Sequence, residues 1–105
     1  MATIHVTEAE SAVMDALWRC GPLAPTRLLA EVRATRPWGE ATVKTLLGRL
    51  MQKKAVRSVR ADGLLRYHAQ FDRETYVRAE VQALVDRLFD ADAKALAAFV
   101  DRMEG

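Results

Sequence analysis

Apolar residues recur with a helical period in five stretches of the chain, and two short runs of partly alternating character lie between the third and the fourth. The first stripe is Ala9, Val13, Ala16 and Leu17. Thr7-Glu8-Ala9-Glu10 opens it as a capping box, in which the Thr7 hydroxyl and the Glu10 carboxylate each satisfy a backbone N–H with no helical partner. The helix is expected to run to about Cys20. Gly21-Pro22 stops it, since glycine accepts a left-handed conformation and proline cannot continue a helix. Pro25 suits the first turn of a second helix, which carries Leu28, Leu29 and Val32 and reaches about Ala34. The third stripe, Val43, Leu46, Leu47, Leu50 and Met51, lies within residues 38–54.

The period then changes. Residues 56–61 and 64–70 flank Asp62-Gly63, a strong hairpin signal because a type I′ turn needs positive φ at both central positions. A fourth helix follows from Asp72 to about Asp90, striped by Val77, Val81, Leu84, Val85 and Leu88. Asp90-Ala91-Asp92 interrupts the pattern, and Leu96, Phe99, Val100 and Met103 form a last stripe. Three short helices and a hairpin define a mainly α winged helix-turn-helix in residues 1–71. Residues 72–105 add two helices whose apolar faces a two-helix hairpin cannot bury alone. They either pack back on the same chain or meet a second copy. A closed twofold dimer is expected, since such dimers dominate soluble oligomers.

The face of the third helix opposite its stripe carries Ala41, Thr45, Gly48 and Gln52, flanked by Thr42, Lys44 and Arg49. Glycine in a helix interior costs about 1 kcal/mol relative to alanine. Tight helix packing or plain tolerance would account for Gly48, and so would close approach to a bulky anionic surface such as a DNA groove.

Charge sharpens this picture. Residues 1–71 hold 11 Lys/Arg against 6 Asp/Glu, whereas residues 72–105 hold 5 against 8. The excess sits in residues 37–71, where Lys44, Arg49, Lys53, Lys54, Arg57, Arg60 and Arg66 face only Glu40 and Asp62. A local basic patch is the electrostatic footprint of a nucleic-acid surface. On the hairpin, Arg57, Arg60 and Arg66 suit a wing that contacts DNA, although solvated arginines on an ordinary hairpin look the same in sequence. Half of the residues are hydrophobic, enough for a core. No apolar run approaches the roughly 18 residues of a membrane span, and the first ten residues lack the features of a signal peptide. A cytoplasmic protein is expected. A single cysteine, Cys20, excludes an intrachain disulfide and a multi-cysteine metal site.

The succession Thr7-Glu8-Ala9-Glu10, Val13 to Trp18, Gly21-Pro22-Leu23, Trp38, Thr42-Val43-Lys44-Thr45-Leu46-Leu47, Arg49-Leu50, Lys53-Lys54 and Asp62-Gly63 resembles the penicillinase-repressor (BlaI/MecI) family. The likeness continues through Glu74, Tyr76, Asp86 to Phe89 and Phe99-Val100. It implies a homodimeric winged-helix repressor of palindromic promoter DNA, with β-lactam resistance or other stress genes under its control. Thr42, Lys44, Thr45 and Arg49 would then work in or over the major groove, Thr26 would help the second helix's N-terminus bind a phosphate, and Arg57, Arg60 and Arg66 would act from the wing. Val81, Leu84, Val85, Leu88, Leu96, Phe99 and Val100 would form the dimer interface. A membrane sensor protease, or an effector downstream of it, would trigger cleavage at Ala98-Phe99.

Some positions depart from the family pattern. Ala55 stands where the family commonly has glycine, so a different exit turn from the third helix is expected. Leu64 follows Asp-Gly where the family usually has arginine, and Ala98 precedes Phe99 where it often has asparagine.

No cofactor is expected. A copper-responsive relative would need a C-terminal cysteine cluster, and His5 and His68 lie in unrelated elements without an acid–base partner or phosphate loop, which argues against an enzyme. The rival with the same fold is a protein-interaction adaptor without sequence-specific DNA binding. An adaptor would carry acids or large apolar residues on the third helix, where this chain is small, polar and basic.

Overall fold

The computed structural model describes residues 4–105, which divide into one unit ending at Asp72 and a second, Arg73–Gly105. The first unit contains α1 (Glu8–Cys20), α2 (Pro25–Arg33), α3 (Glu40–Gln52), β1 (Val56–Ala61) and β2 (Leu64–Ala69). The second contains α4 (Arg73–Leu88) and α5 (Ala93–Glu104). The protein is a winged helix-turn-helix followed by a helical C-terminal region.

The capping box forms as expected: Glu10 N donates to Thr7 Oγ1 at 3.1 Å, and Thr7 N donates to Glu10 Oε1 at 2.9 Å. Gly21, at φ 80°, ends α1. The buried face of α1 is broader than its predicted stripe. Met14 and Ala12 are inside while Ala9 is only half-buried, because α2, α3 and β2 all pack against this helix. Val13, Met14, Leu28, Val32 and Leu50 are sealed from solvent, each worth about 1.5–3 kcal/mol of burial. Within the α3 stripe, Val43, Leu46, Leu47 and Leu50 are buried, and Met51 lies at its exposed margin.

The exit from α3 is a Schellman turn. Ala55 N donates to Leu50 O at 2.9 Å and Lys54 N to Met51 O at 3.0 Å, with Lys54 at φ 65° as the left-handed residue. Position 55 therefore needs no glycine: Ala55 has an ordinary backbone and its side chain is buried. β1 and β2 pair antiparallel from Val56↔Ala69 to Ala61↔Leu64, and Asp62 and Gly63 turn the hairpin at φ 53° and 75°. Leu23 adds a one-residue bridge to the far side of β2, exchanging both backbone bonds with Tyr67. The indole of Trp18 donates to Phe71 O at 2.9 Å, tying the end of the wing to α1.

In the second unit, α4 ends at Leu88, two residues sooner than its sequence suggests. Asp90 and Ala91 take left-handed conformations at φ 50° and 62°, and Ala91 N donates back to Val85 O. Asp92 then caps α5 by accepting from Lys94 N at 3.0 Å. Val85 is the only buried residue of the pair of helices, although the rings of Phe89 and Phe99 meet at a tilt of 59° with centroids 5.8 Å apart.

Candidate nucleic-acid interface

The expected reading face of α3 is open. Ala41, Thr42, Lys44, Thr45, Gly48, Arg49 and Gln52 are all exposed. A Cβ added at Gly48 would meet nothing within 4 Å, so close packing inside the chain does not explain this glycine. Thr45 Oγ1 donates to Ala41 O at 3.0 Å. With its proton committed to the helix, that hydroxyl can offer an outside group only its lone pairs and the methyl beside it. Lys44 pairs with Glu40 at 3.0 Å, with both side chains more than half exposed, an arrangement worth only tenths of a kcal/mol and readily exchanged for another anion.

The basic patch is smaller than its sequence count. Lys53 turns inward, donating to the His5 carbonyl at 2.9 Å and to the carboxylate of Glu10. Glu10 is almost wholly buried. Burial alone would raise its pKa, but the Lys53 bond and charge together with the Thr7 bonds hold it below the ordinary carboxylate value. Lys53 thus joins the end of α3 to the start of α1, and its charge is neutralised there. Among the described residues, Arg49, Lys54, Arg57, Arg60 and Arg66 make no ion pair.

Of the four bases that precede residue 37, three are compensated. Arg19 and Arg27 both bind Glu31 at 3.1 Å, and Arg36 binds Glu8 at 2.8 Å. The Arg19 and Arg27 hydrogen bonds lower the pKa of Glu31, and Glu31 in turn raises that of Arg19. Among the described residues of the first unit, the cations without an ion pair therefore gather at the end of α3 and on the hairpin, with Arg33 apart from them.

The strand register separates the wing arginines. Arg57 lies opposite His68 and Arg66 opposite Val59, on the face that also carries Leu64; Arg60, opposite Leu65, lies on the other. Thr26 is exposed at the second position of α2. Ala24 precedes that helix and supplies no side-chain cap, and Gly39 likewise leaves α3 without one. Both helix starts thus present backbone N–H groups and the positive end of the helix dipole.

In the second unit Val81, Leu88, Phe99 and Val100 are exposed, Leu84 and Leu96 half-buried, and Val85 buried. Ala98 and Phe99 lie on regular helix within α5. Among the described residues no group of His, Cys, Asp and Glu is arranged to hold a metal ion, and no helix is long and apolar enough to cross a membrane.

Three helices, the third bearing an exposed basic face, and a basic hairpin define a protein of the winged helix-turn-helix class. Residues 6–104 match the Penicillinase repressor family, and the chain belongs to it. It is 21% identical over 92 residues to the penicillinase repressor of Bacillus licheniformis, an alignment covering 88% of this chain and 72% of that protein. It is 27% identical over 101 residues to an uncharacterized 16.5 kDa protein from the ptsI 3′ region of Latilactobacillus sakei, covering 95% and 69% of the two chains. Its fold is shared with the solution structure of the DNA-binding domain of the repressor BlaI (TM-score 0.62, 24% identity, 71% of this chain and 92% of that one). It is shared equally with the monomeric form of B. licheniformis BlaI solved in complex with the blaP half-operator (TM-score 0.64, 24% identity, the same coverage).

Proposed function

We propose that this protein is a transcriptional repressor that binds a palindromic operator as a homodimer. The observation that carries the reading is the exposed face of α3, cationic at its edge and small at its centre, where a Cβ at Gly48 would meet nothing within 4 Å. In this reading α3 enters the major groove. Thr45 accepts from a base amino group or sets its methyl against thymine, and Thr42 contacts a base edge or a phosphate. Arg49 and Lys44 hold phosphates on opposite flanks, Lys44 leaving Glu40 to do so. The uncapped start of α2, with Thr26, takes a further phosphate. Arg57, Arg60 and Arg66 extend the contact from the wing. The BlaI structure with a half-operator supports this assignment by its fold.

Dimerisation belongs to α4 and α5. Val81, Leu84, Leu88, Leu96, Phe99 and Val100 stay wholly or partly open in the single chain, and a second copy supplies a matching apolar surface for them. Two recognition helices then read half-sites about one or more helical turns apart. Release follows proteolysis by a membrane sensor system at Ala98-Phe99, and β-lactam resistance genes are among the outputs such a repressor governs. Because that bond lies inside α5, cleavage requires α5 to unfold locally first.

Selection from a pool of random-sequence duplexes tests the reading. Enrichment of an inverted repeat with a fixed half-site spacing is expected. Recovery of no motif would leave the fold as a protein-interaction adaptor.

A further inference from the structure

The tip of the wing carries an apolar residue where a surface turn would ordinarily be polar. Leu64 is 56% exposed, among the most exposed large hydrophobic side chains in the molecule, and it closes the hairpin opposite Ala61. The preceding Asp62-Gly63 turn is held by two positive-φ residues, so the backbone presenting Leu64 is fixed by the turn geometry. Arg66 follows two residues later on the same face, roughly 7 Å along the strand. Arg57 lies further down that face on the neighbouring strand, and Arg60 sits beside the tip on the opposite face. Neither Arg60 nor Arg66 makes an ion pair among the described residues. An apolar point backed by unpaired cations has the chemistry of a minor-groove probe: the cations hold the phosphates that rim the groove while the hydrocarbon meets its floor.

We infer that Leu64 is a specificity-determining residue, which enters the minor groove beside each half-site and selects A·T over G·C pairs there. The inference rests on the operator-binding reading above. It differs from an added phosphate contact in two ways. Leucine has no hydrogen bond to offer, so discrimination comes from shape: in a G·C pair the guanine 2-amino group projects into the minor groove and blocks the side chain, and in an A·T pair that position is empty. The contact also releases no counterion, so its contribution is the same at every salt concentration. Covering the exposed half of a leucine side chain corresponds to roughly a fivefold to fifteenfold tighter Kd.

The test uses the full chain and its selected operator duplex, with the A·T pairs flanking each half-site replaced by G·C or by inosine·C. Inosine·C has the major-groove face of G·C but lacks the 2-amino group. The wild-type protein is expected to bind the A·T and inosine·C duplexes alike and the G·C duplex roughly tenfold more weakly. Leu64→Ser should bind all three equally, at the weaker level, with an unchanged salt slope. Leu64→Arg should regain affinity at low salt and steepen the slope by about one. Equal binding of inosine·C and G·C by the wild type would overturn the inference, as would full discrimination by Leu64→Ser. Either result leaves operator binding intact, whereas failure of the wild type to prefer the operator over a scrambled duplex would instead remove the reading on which the inference rests.

Discussion

Gly48→Ala should make the protein more stable and a weaker DNA binder. Gly48 lies in the interior of α3, and a methyl group added there meets nothing within 4 Å. The substitution therefore brings the full helix-propensity gain of about 1 kcal/mol without steric cost. For a unit of this size that gain raises Tm by roughly 4–8 °C. On DNA the sign reverses. Gly48 shares its face with Ala41, Thr45 and Gln52, and in the proposed complex this face meets the groove. Inserting a methyl into a close-packed contact costs about 1–3 kcal/mol, or roughly a fivefold to hundredfold increase in Kd. Thermal melts by circular dichroism and fluorescence anisotropy on one preparation read both quantities. Unchanged affinity in the stabilised variant would refute the close approach of α3, and an unchanged Tm would refute the openness of the site.

Three further outcomes follow from the same geometry. Removing Arg49 as Arg49→Ala should flatten the dependence of log K on log[salt] by about 0.9, and an unaltered slope would take Arg49 off the phosphates. Leu88 is 62% exposed in the single chain, so Leu88→Asp should leave the fold intact and convert dimers to monomers in sedimentation velocity; a persisting dimer would place the interface elsewhere. The pKa of Glu10 is held below its ordinary 4.5, so its stabilising contribution is present above that value and is lost as pH falls through its lower folded-state value. Glu10→Gln should lack this acid-limb component in pH-dependent melts, and a limb identical to wild type would assign it to other carboxylates.

The elements most legible in the sequence are those specified by neighbours in the chain. The α1 capping box spans four residues and forms as its spacing implies. Asp62-Gly63 dictates the hairpin because both residues tolerate positive φ, and the α3 stripe is buried because its spacing matches the helical period. What escaped is non-local. Lys53 and Glu10 are 43 positions apart, and nothing near either residue marks one basic side chain of the patch as turned inward. The α1 core shows the same limit: Met14 lies off the predicted stripe and is buried because three elements converge on that helix. At the end of α3, the comparison of Ala55 with glycine drew attention to the wrong position. The left-handed residue is Lys54, a side chain with no particular preference for that conformation, stabilised by the Schellman bonds and the burial of Ala55. For the candidate site, exposure of Thr42, Lys44, Thr45 and Arg49 was readable from helical phase. The separation of Arg60 from Arg57 and Arg66 needed the strand register.

The most direct measurement is a titration of the full chain against the DNA upstream of its own gene, beside a scrambled duplex, at three salt concentrations. Sequence-specific recognition by α3 predicts binding to the promoter tighter than to the scramble by a factor in the ~10³ to 10⁷ range of specific DNA-binding proteins. Equally weak binding to both duplexes, with one steep salt slope, would reduce the basic surface to a non-specific electrostatic patch at that site and contradict the account.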